Sequence, residues 1–421
     1  MLGRGGGGMR KLAWFAAGFG AACLWSCYDG LGPGQLLVPL LLALGGWLAS
    51  RPREYESPIL LRKPRGRGRR FRWGLYQVSR RGLALCLGAV AAFGWCAAYF
   101  ALFRAPAQGW VGEDVPLSGE VSSYPVPTSI GGYGVTLRLD GGFFAPDVLA
   151  YGPEEWGALK PGDRLSCAAR VKGAERAYGG ETTYYTAKGV YLLAYCRQGA
   201  EIRAADRTPL RHWPALCAHE LNAGIYAAFD AAAAPIAAAV TLGDKRGLDE
   251  TLFSAFNRAG LMHAAVVSGF HISFLVRMAL AVCPRRRRAA LALVPLLVFY
   301  ALMAGGTPSA FRAVIMQSAL LAAPLAGREK DGPSALGAAL LVLLVQNPFA
   351  AASVGLQLSF ASVAGILLVS EPLLERMYRP LRKKRPAKEK RVELLLWRAG
   401  RTALAGVSAS LGAMLFTVPL I

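Results

Sequence analysis

Positive charge in this sequence falls in blocks, and each block lies between apolar runs. Residues 51–81 carry eleven Lys/Arg against two Glu, residues 285–288 are four consecutive arginines, and residues 376–401 carry eleven more Lys/Arg. The apolar runs lie at 12–27, 35–50, 82–103, 261–282, 289–305, 309–327, 333–346, 352–370 and 402–421. Most have about the 20 residues needed to cross a hydrocarbon core; the run at 333–346 is short. A polytopic membrane protein alternates in this way because its Lys/Arg-rich loops stay on the cytoplasmic side. The net charge of +22 is therefore read as topology, in preference to a basic face for nucleic acid.

One orientation satisfies every block. With the N-terminus cytoplasmic, 51–81, Arg285 to Arg288, Arg328 with Lys330, and 371–401 all fall inside, and 104–212 lies outside. Residues 213–260 must then re-enter or lie along the outer face. Trp213, Leu216, Leu221, Ile225, Tyr226 and Phe229 recur at near-helical spacing there, which predicts an interfacial helix. At the start of the chain, a helical hairpin is favoured over a cleaved signal peptide. A second apolar run follows the first at once, with no small-x-small cleavage site between them.

The outer segment has a different pattern. Short alternating runs at 115–124, 133–139, 147–151, 164–171 and 189–196 are separated by turn residues, among them Lys160, Pro161, Gly162 and Asp163. Five strands in so short a stretch suit a small barrel of the OB type. The fold class is thus a polytopic α-helical membrane protein with an extracytoplasmic OB-like β-barrel domain. Its expected parts are helices with a basic loop (1–103), the β domain (104–211), interfacial helices (212–260) and a membrane core (261–421). The β domain balances twelve Lys/Arg against twelve Asp/Glu and is no electrostatic funnel. Tyr124, Tyr133, Tyr184 and Tyr185 either stack on bases or pack the barrel. Cys167 and Cys196 sit in separate predicted strands, where a disulfide and two free buried thiols both remain open.

Polar residues interrupt the apolar runs at a few places. His263, Ser268, Gly269 and His271 form one group, and helical spacing brings Ser268 and His271 together and returns His263 to nearly the same face. Such a stripe either lines a water-filled path or makes interhelical hydrogen bonds beside a small residue; the two histidines favour the path. Thr307, Pro308, Ser309 and Arg312 specify a capped helix start with an arginine one turn in. Arg312 either snorkels to the outer interface or points inward. Asn347 closes a short span, and Gln357 and Ser359 enter the next. There is no hydrolase order of Ser, His and Asp, no phosphate-cradling loop and no pair of intramembrane carboxylates. Nor is there a CxxC or a Cys/His spacing suited to zinc. Neither catalysis, a cofactor nor a metal is expected.

Several of these groups stand in an order that resembles the ComEC family of competence proteins. The stretch from Leu242, Gly243 and Asp244 through Phe256, Ala259, Gly260, Leu261 and His263 to Ser268, Gly269, Phe270, His271 and Ile272 is similar to that family's signature. Downstream, Gly306, Thr307, Pro308, Ser309, Arg312 and Ala313 follow, then Gly327 and Arg328, Asn347 and Pro348, and finally Gly355, Gln357, Leu358, Ser359 and Phe360. The resemblance implies a bacterial cytoplasmic-membrane channel for uptake of single-stranded DNA during natural transformation. It also implies other competence proteins and membrane lipids as partners, and leaves a homo-oligomer open. His263, Ser268, Gly269, His271, Pro308, Ser309, Arg312, Asn347, Gln357 and Ser359 become the binding or pore-lining candidates. Phe270 replaces the family's usual leucine. The family's metallo-β-lactamase-like domain has no counterpart, so truncation at the C-terminus is expected. The alternatives are a small-solute transporter with an outer binding domain, or a remnant of a longer gene.

Overall fold

A computed structural model of the chain describes residues 9–29, 67–128, 131–140, 147–177, 180–196, 199–259, 267, 269–282, 286–382 and 391–421. The expected helix at 35–50 and the basic loop up to residue 66 lie outside the described residues. Two bodies are built from the remainder, one helical and one a β-barrel.

Helix α1 (Met9–Asp29) packs along α2 (Arg67–Tyr99), which continues through a π-turn at Phe100–Arg104 to a last turn at Ala105–Gln108. Two glycines set the separation. A Cβ on Gly18 would overlap the Leu85 carbonyl, and one on Gly88 would overlap the Phe15 carbonyl, so the two backbones touch reciprocally. Contact through small residues is how helices associate where lipid supplies no hydrophobic drive.

The chain then enters the barrel. Strands β1 (Asp114–Val121), β2 (Tyr133–Leu139), β3 (Asp147–Gly152), β4 (Arg164–Gly173) and β5 (Val190–Cys196) pair in the closed order β1-β2-β3-β5-β4-β1. All neighbours are antiparallel except β3 and β5, which run parallel with Val148 opposite Leu192. Strand β6 (Glu201–Arg203) adds to the edge of β4. Alternation fills the interior. On β4, Leu165, Cys167, Ala169 and Val171 are buried while Arg164, Ser166, Arg170 and Lys172 face out. Leu117, Leu137, Val148 and Trp156 complete the core. The turn before β4 forms as its sequence requires: Gly162 takes φ +107°, and the buried Asp163 carboxylate accepts from the Lys160 and Ala205 amides. Cys167 and Cys196 are joined as a disulfide. Strand β1 ends at Val121, short of the expected Tyr124, and two-residue pairing resumes at Val126–Pro127 against β2.

After the barrel come α3 (Trp213–Ala228), α4 (Ala233–Leu242), α5 (Glu250–Arg258), α6 (Gly269–Val282), α7 (Arg286–Met303), α8 (Pro308–Ala322), α9 (Gly332–Gln346) and α10 (Val354–Gly365). A π-turn at Ile366–Ser370 links α10 to α11 (Glu371–Arg382), and α12 is Arg391–Thr417. Helix α8 is central, touching α6, α7, α9 and α10, and α9 also packs on α1. A second pair of glycines, Gly365 and Gly412, brings α10 against α12. Arg81–Gln108, Val354–Tyr378 and Trp397–Leu420 are long and apolar enough to cross a membrane, while Gly269–Ala281, Ala292–Met303 and Gly332–Gln346 are shorter apolar helices.

One expectation needs correction. The apolar run at 261–282 is not a continuous helix: Val267 is not helical, and α6 begins only at Gly269. The Ser309 hydroxyl donates to the Val267 carbonyl at 3.3 Å, satisfying a polar group just ahead of the helix start.

Candidate polar site within the helical body

The start of α8 sets the site. Thr307 is extended and its hydroxyl accepts from the Ala310 amide, and Pro308 occupies the first helical turn. Arg312 follows one turn in, and it points into the body. Only 8% of Arg312 is exposed. Its Nε donates to the Ser359 hydroxyl on α10 at 2.8 Å, and its Nη1 lies 3.7 Å from the Met316 thioether. Across from it stands the first residue of α6: a Cβ on Gly269 would sit 3.6 Å from Arg312 Nη2 and 3.7 Å from the Ala313 Cβ. The guanidinium therefore lies close against the α6 start.

Three elements thus bring Gly269, Ser309, Arg312 and Ser359 together. No carboxylate pairs with Arg312 among the described residues. A buried cation held by a hydroxyl and a thioether, with no anion beside it among the described residues, is costly. The first amides of α6 add a further positive partial charge to the same spot. Chemically the arrangement is a donor-rich, electropositive point suited to a passing anion.

The other candidates lie elsewhere. His271 is on the first turn of α6, its ring edge-on to Phe270 at 5.8 Å between centroids. The Gln357 amide donates to the Ala351 carbonyl at 2.9 Å. Asn347 joins the two bodies: its Nδ2 donates to the Thr186 and Ala187 carbonyls at 3.1 and 3.2 Å, and its Oδ1 accepts from the Phe349 amide and the Tyr191 hydroxyl. Tyr191 also meets Tyr99, and burial pushes the Tyr191 phenol well above its ordinary range. His263 and Ser268 lie outside the described residues.

Some participants escaped sequence reasoning. Gln317 Nε2 donates to Ser273 Oγ at 3.0 Å, tying α8 to α6 one turn beyond Arg312. Polar residues at 273 and 317 within apolar runs were the available signal. Nearer the barrel, Tyr124 stacks on His219 with centroids 4.3 Å apart. Both line a cleft of about 270 Å³ with Asn222, Asp244 and Gly305. Gly243 closes α4 in the left-handed conformation (φ +73°), which aims Asp244 at Asn222 and Arg246. Burial works to raise the Asp244 pKa, but hydrogen bonds from the Arg246 side chain and amide, the Arg246 charge and Asn222 outweigh it and hold it below the usual carboxylate value.

These elements coincide with a recognised sequence unit. The competence protein family model matches residues 240–421. This part of the chain is similar to that family. The ComEC resemblance carried by the ordered motifs is thereby shown. Among curated proteins, ComE operon protein 3 of Bacillus subtilis (strain 168) is 30% identical over 139 residues, covering 32% of this chain and 18% of that protein. No solved structure matches at a significant level. The matched stretch runs from the end of α4 past α12 and contains Gly269, Ser309, Arg312 and Ser359.

Proposed function

We propose that the chain forms part of a cytoplasmic-membrane channel through which single-stranded DNA enters the cell during natural transformation. The carrying observation is Arg312: a buried guanidinium in an apolar body, facing a helix start and bonded among the described residues to neutral partners alone. A cation kept in such a place at such cost favours a functional role. A strand with one negative charge per nucleotide needs donors that attract it yet bind weakly enough to release it. One guanidinium, the α6 start and the serine hydroxyls meet that requirement.

The rest of the architecture supports the same reading. Among the described residues, three long apolar helices and the glycine-mediated crossings, together with the blocks of Lys/Arg in the sequence, favour a multi-pass protein with a cytoplasmic N-terminus and an outer barrel. The closed ring of five strands with its parallel β3–β5 pair favours an OB-like domain. That barrel is nearly neutral and serves as an accessory to the path.

Arg312→Ala tests the proposal. Transformants should be lost while the variant stays in the carbonate-washed membrane fraction. Normal transformation by a stably inserted variant would contradict it.

A further inference from the structure

Where α2 leaves its apolar stretch and the chain turns into the barrel, a cleft of about 590 Å³ opens between the two bodies, away from the Arg312 site. Its walls include Arg104, Gln108, Val111, Arg170, Lys172 and Glu175. Three cations face one carboxylate, a net of two positive charges. Arg104 pairs with Glu175, and its guanidinium lies over the Phe100 and Phe349 rings, 5.3 and 4.9 Å from their centroids. Its Nε is buried with no hydrogen-bond partner among the described residues. Arg170 and Lys172 are two apart on β4, so alternation puts both on the outer face, and both are exposed. Arg170 has no ion-pair partner among the described residues.

We infer that this cleft is a binding site for the headgroup of an anionic phospholipid of the outer leaflet. The inference rests on the membrane reading of α2 given above. The candidate span Arg81–Gln108 ends with Arg104 and Gln108 in its last turns, which places the cleft at headgroup depth. The charges match a phosphate, and the exposed Val111 offers apolar surface to the glycerol and upper acyl carbons. The volume falls in the range of small-ligand sites. A bound lipid would tie the barrel to the membrane surface beside the joint formed by Tyr99, Tyr191 and Asn347.

The test uses the full chain reconstituted in nanodiscs of phosphatidylethanolamine and phosphatidylglycerol, with retained lipid identified by mass spectrometry after delipidation. Arg170→Ala/Lys172→Ala is compared with Arg164→Ala/Arg203→Ala, which removes equal charge at the other end of β4. Wild type and the control pair should retain phosphatidylglycerol selectively. The cleft variant should lose that selectivity by roughly tenfold or more, since each basic residue near a membrane contributes about fivefold. Equal selectivity in the cleft variant would overturn the inference. So would binding of a fluorescent oligodeoxythymidylate that depends on Arg170 and Lys172 while retained lipid stays unchanged, which would assign the cleft to the strand. A chain stripped from membranes by carbonate would show, before any lipid is measured, that the membrane reading itself had failed, and the inference with it.

Discussion

Arg164 and Arg312 both sit on regular elements, in surroundings that differ in kind. Arg164 lies on the outer face of β4, its side chain 64% exposed, and pairs with the exposed Asp140 at 3.3 Å. Arg312 is 8% exposed among helices and leans on a serine and a methionine. In the barrel, alternation sends charge outward at no cost and fills the interior with Leu117, Leu137, Val148 and Leu165. In the helical body, a cation stays inside with no compensating anion among the described residues. The barrel therefore looks optimised for stability, whereas the helical body retains an energetic cost, which is where function is expected to reside.

The contrast can be broken most forcefully from the barrel side. Trp156 is fully buried, and Trp156→Ala should cost about 3–5 kcal/mol. Limited proteolysis of the full chain should then cut the barrel first and leave the helices intact; equal cleavage of both would mean that they fold as one unit. A smaller effect is expected from Cys167→Ala/Cys196→Ala, about 2–4 kcal/mol from loss of the closed loop, read as lower protease resistance of the barrel.

In the helical body, Ser359→Ala leaves Arg312 Nε without its acceptor and should cost about 1–3 kcal/mol. Transformation should fall more than thermal stability does. A variant with wild-type transformation would make Ser359 a packing residue. The smallest expected effect concerns Asp244. Its pKa is lowered in the fold, so its contribution is present above the ordinary carboxylate value of 3.8 and is lost as pH falls through the lowered one. Acid titration of the purified chain should show this loss, and Asp244→Asn should remove it.

The barrel was largely legible because a two-residue period is local. Residues 164–171 alternate so regularly that inward and outward faces follow from the sequence, and Lys160 to Asp163 carry their own turn chemistry. The end of β1 was not legible, since residues 122–124 continue an extended pattern while the backbone ladder to β2 gives way to a side-chain contact, the Thr136 amide donating to the Ser123 hydroxyl. In the helical body, long-range geometry decides. Nothing near Arg312 in the sequence distinguishes an inward rotamer from a snorkelling one; its acceptor, Ser359, comes from another helix 47 positions away. Asn347 looked like a residue of the path for the same reason, yet its amide is committed to the carbonyls of residues 186 and 187, about 160 positions earlier. A hydropathy run also hides an interruption: residues 261–282 stay apolar on average although α6 starts at Gly269.

The central claim is that the surroundings of Arg312 belong to a hydrated path used by DNA. Thiol labelling in intact cells tests it most directly, comparing Ser359→Cys with Val342→Cys and Leu368→Cys at exposed apolar positions of the body. A small charged thiol reagent should label position 359, single-stranded DNA in transit should protect it, and positions 342 and 368 should stay inert. A cysteine at 359 as unreactive as one at 342, with or without DNA, would contradict the account.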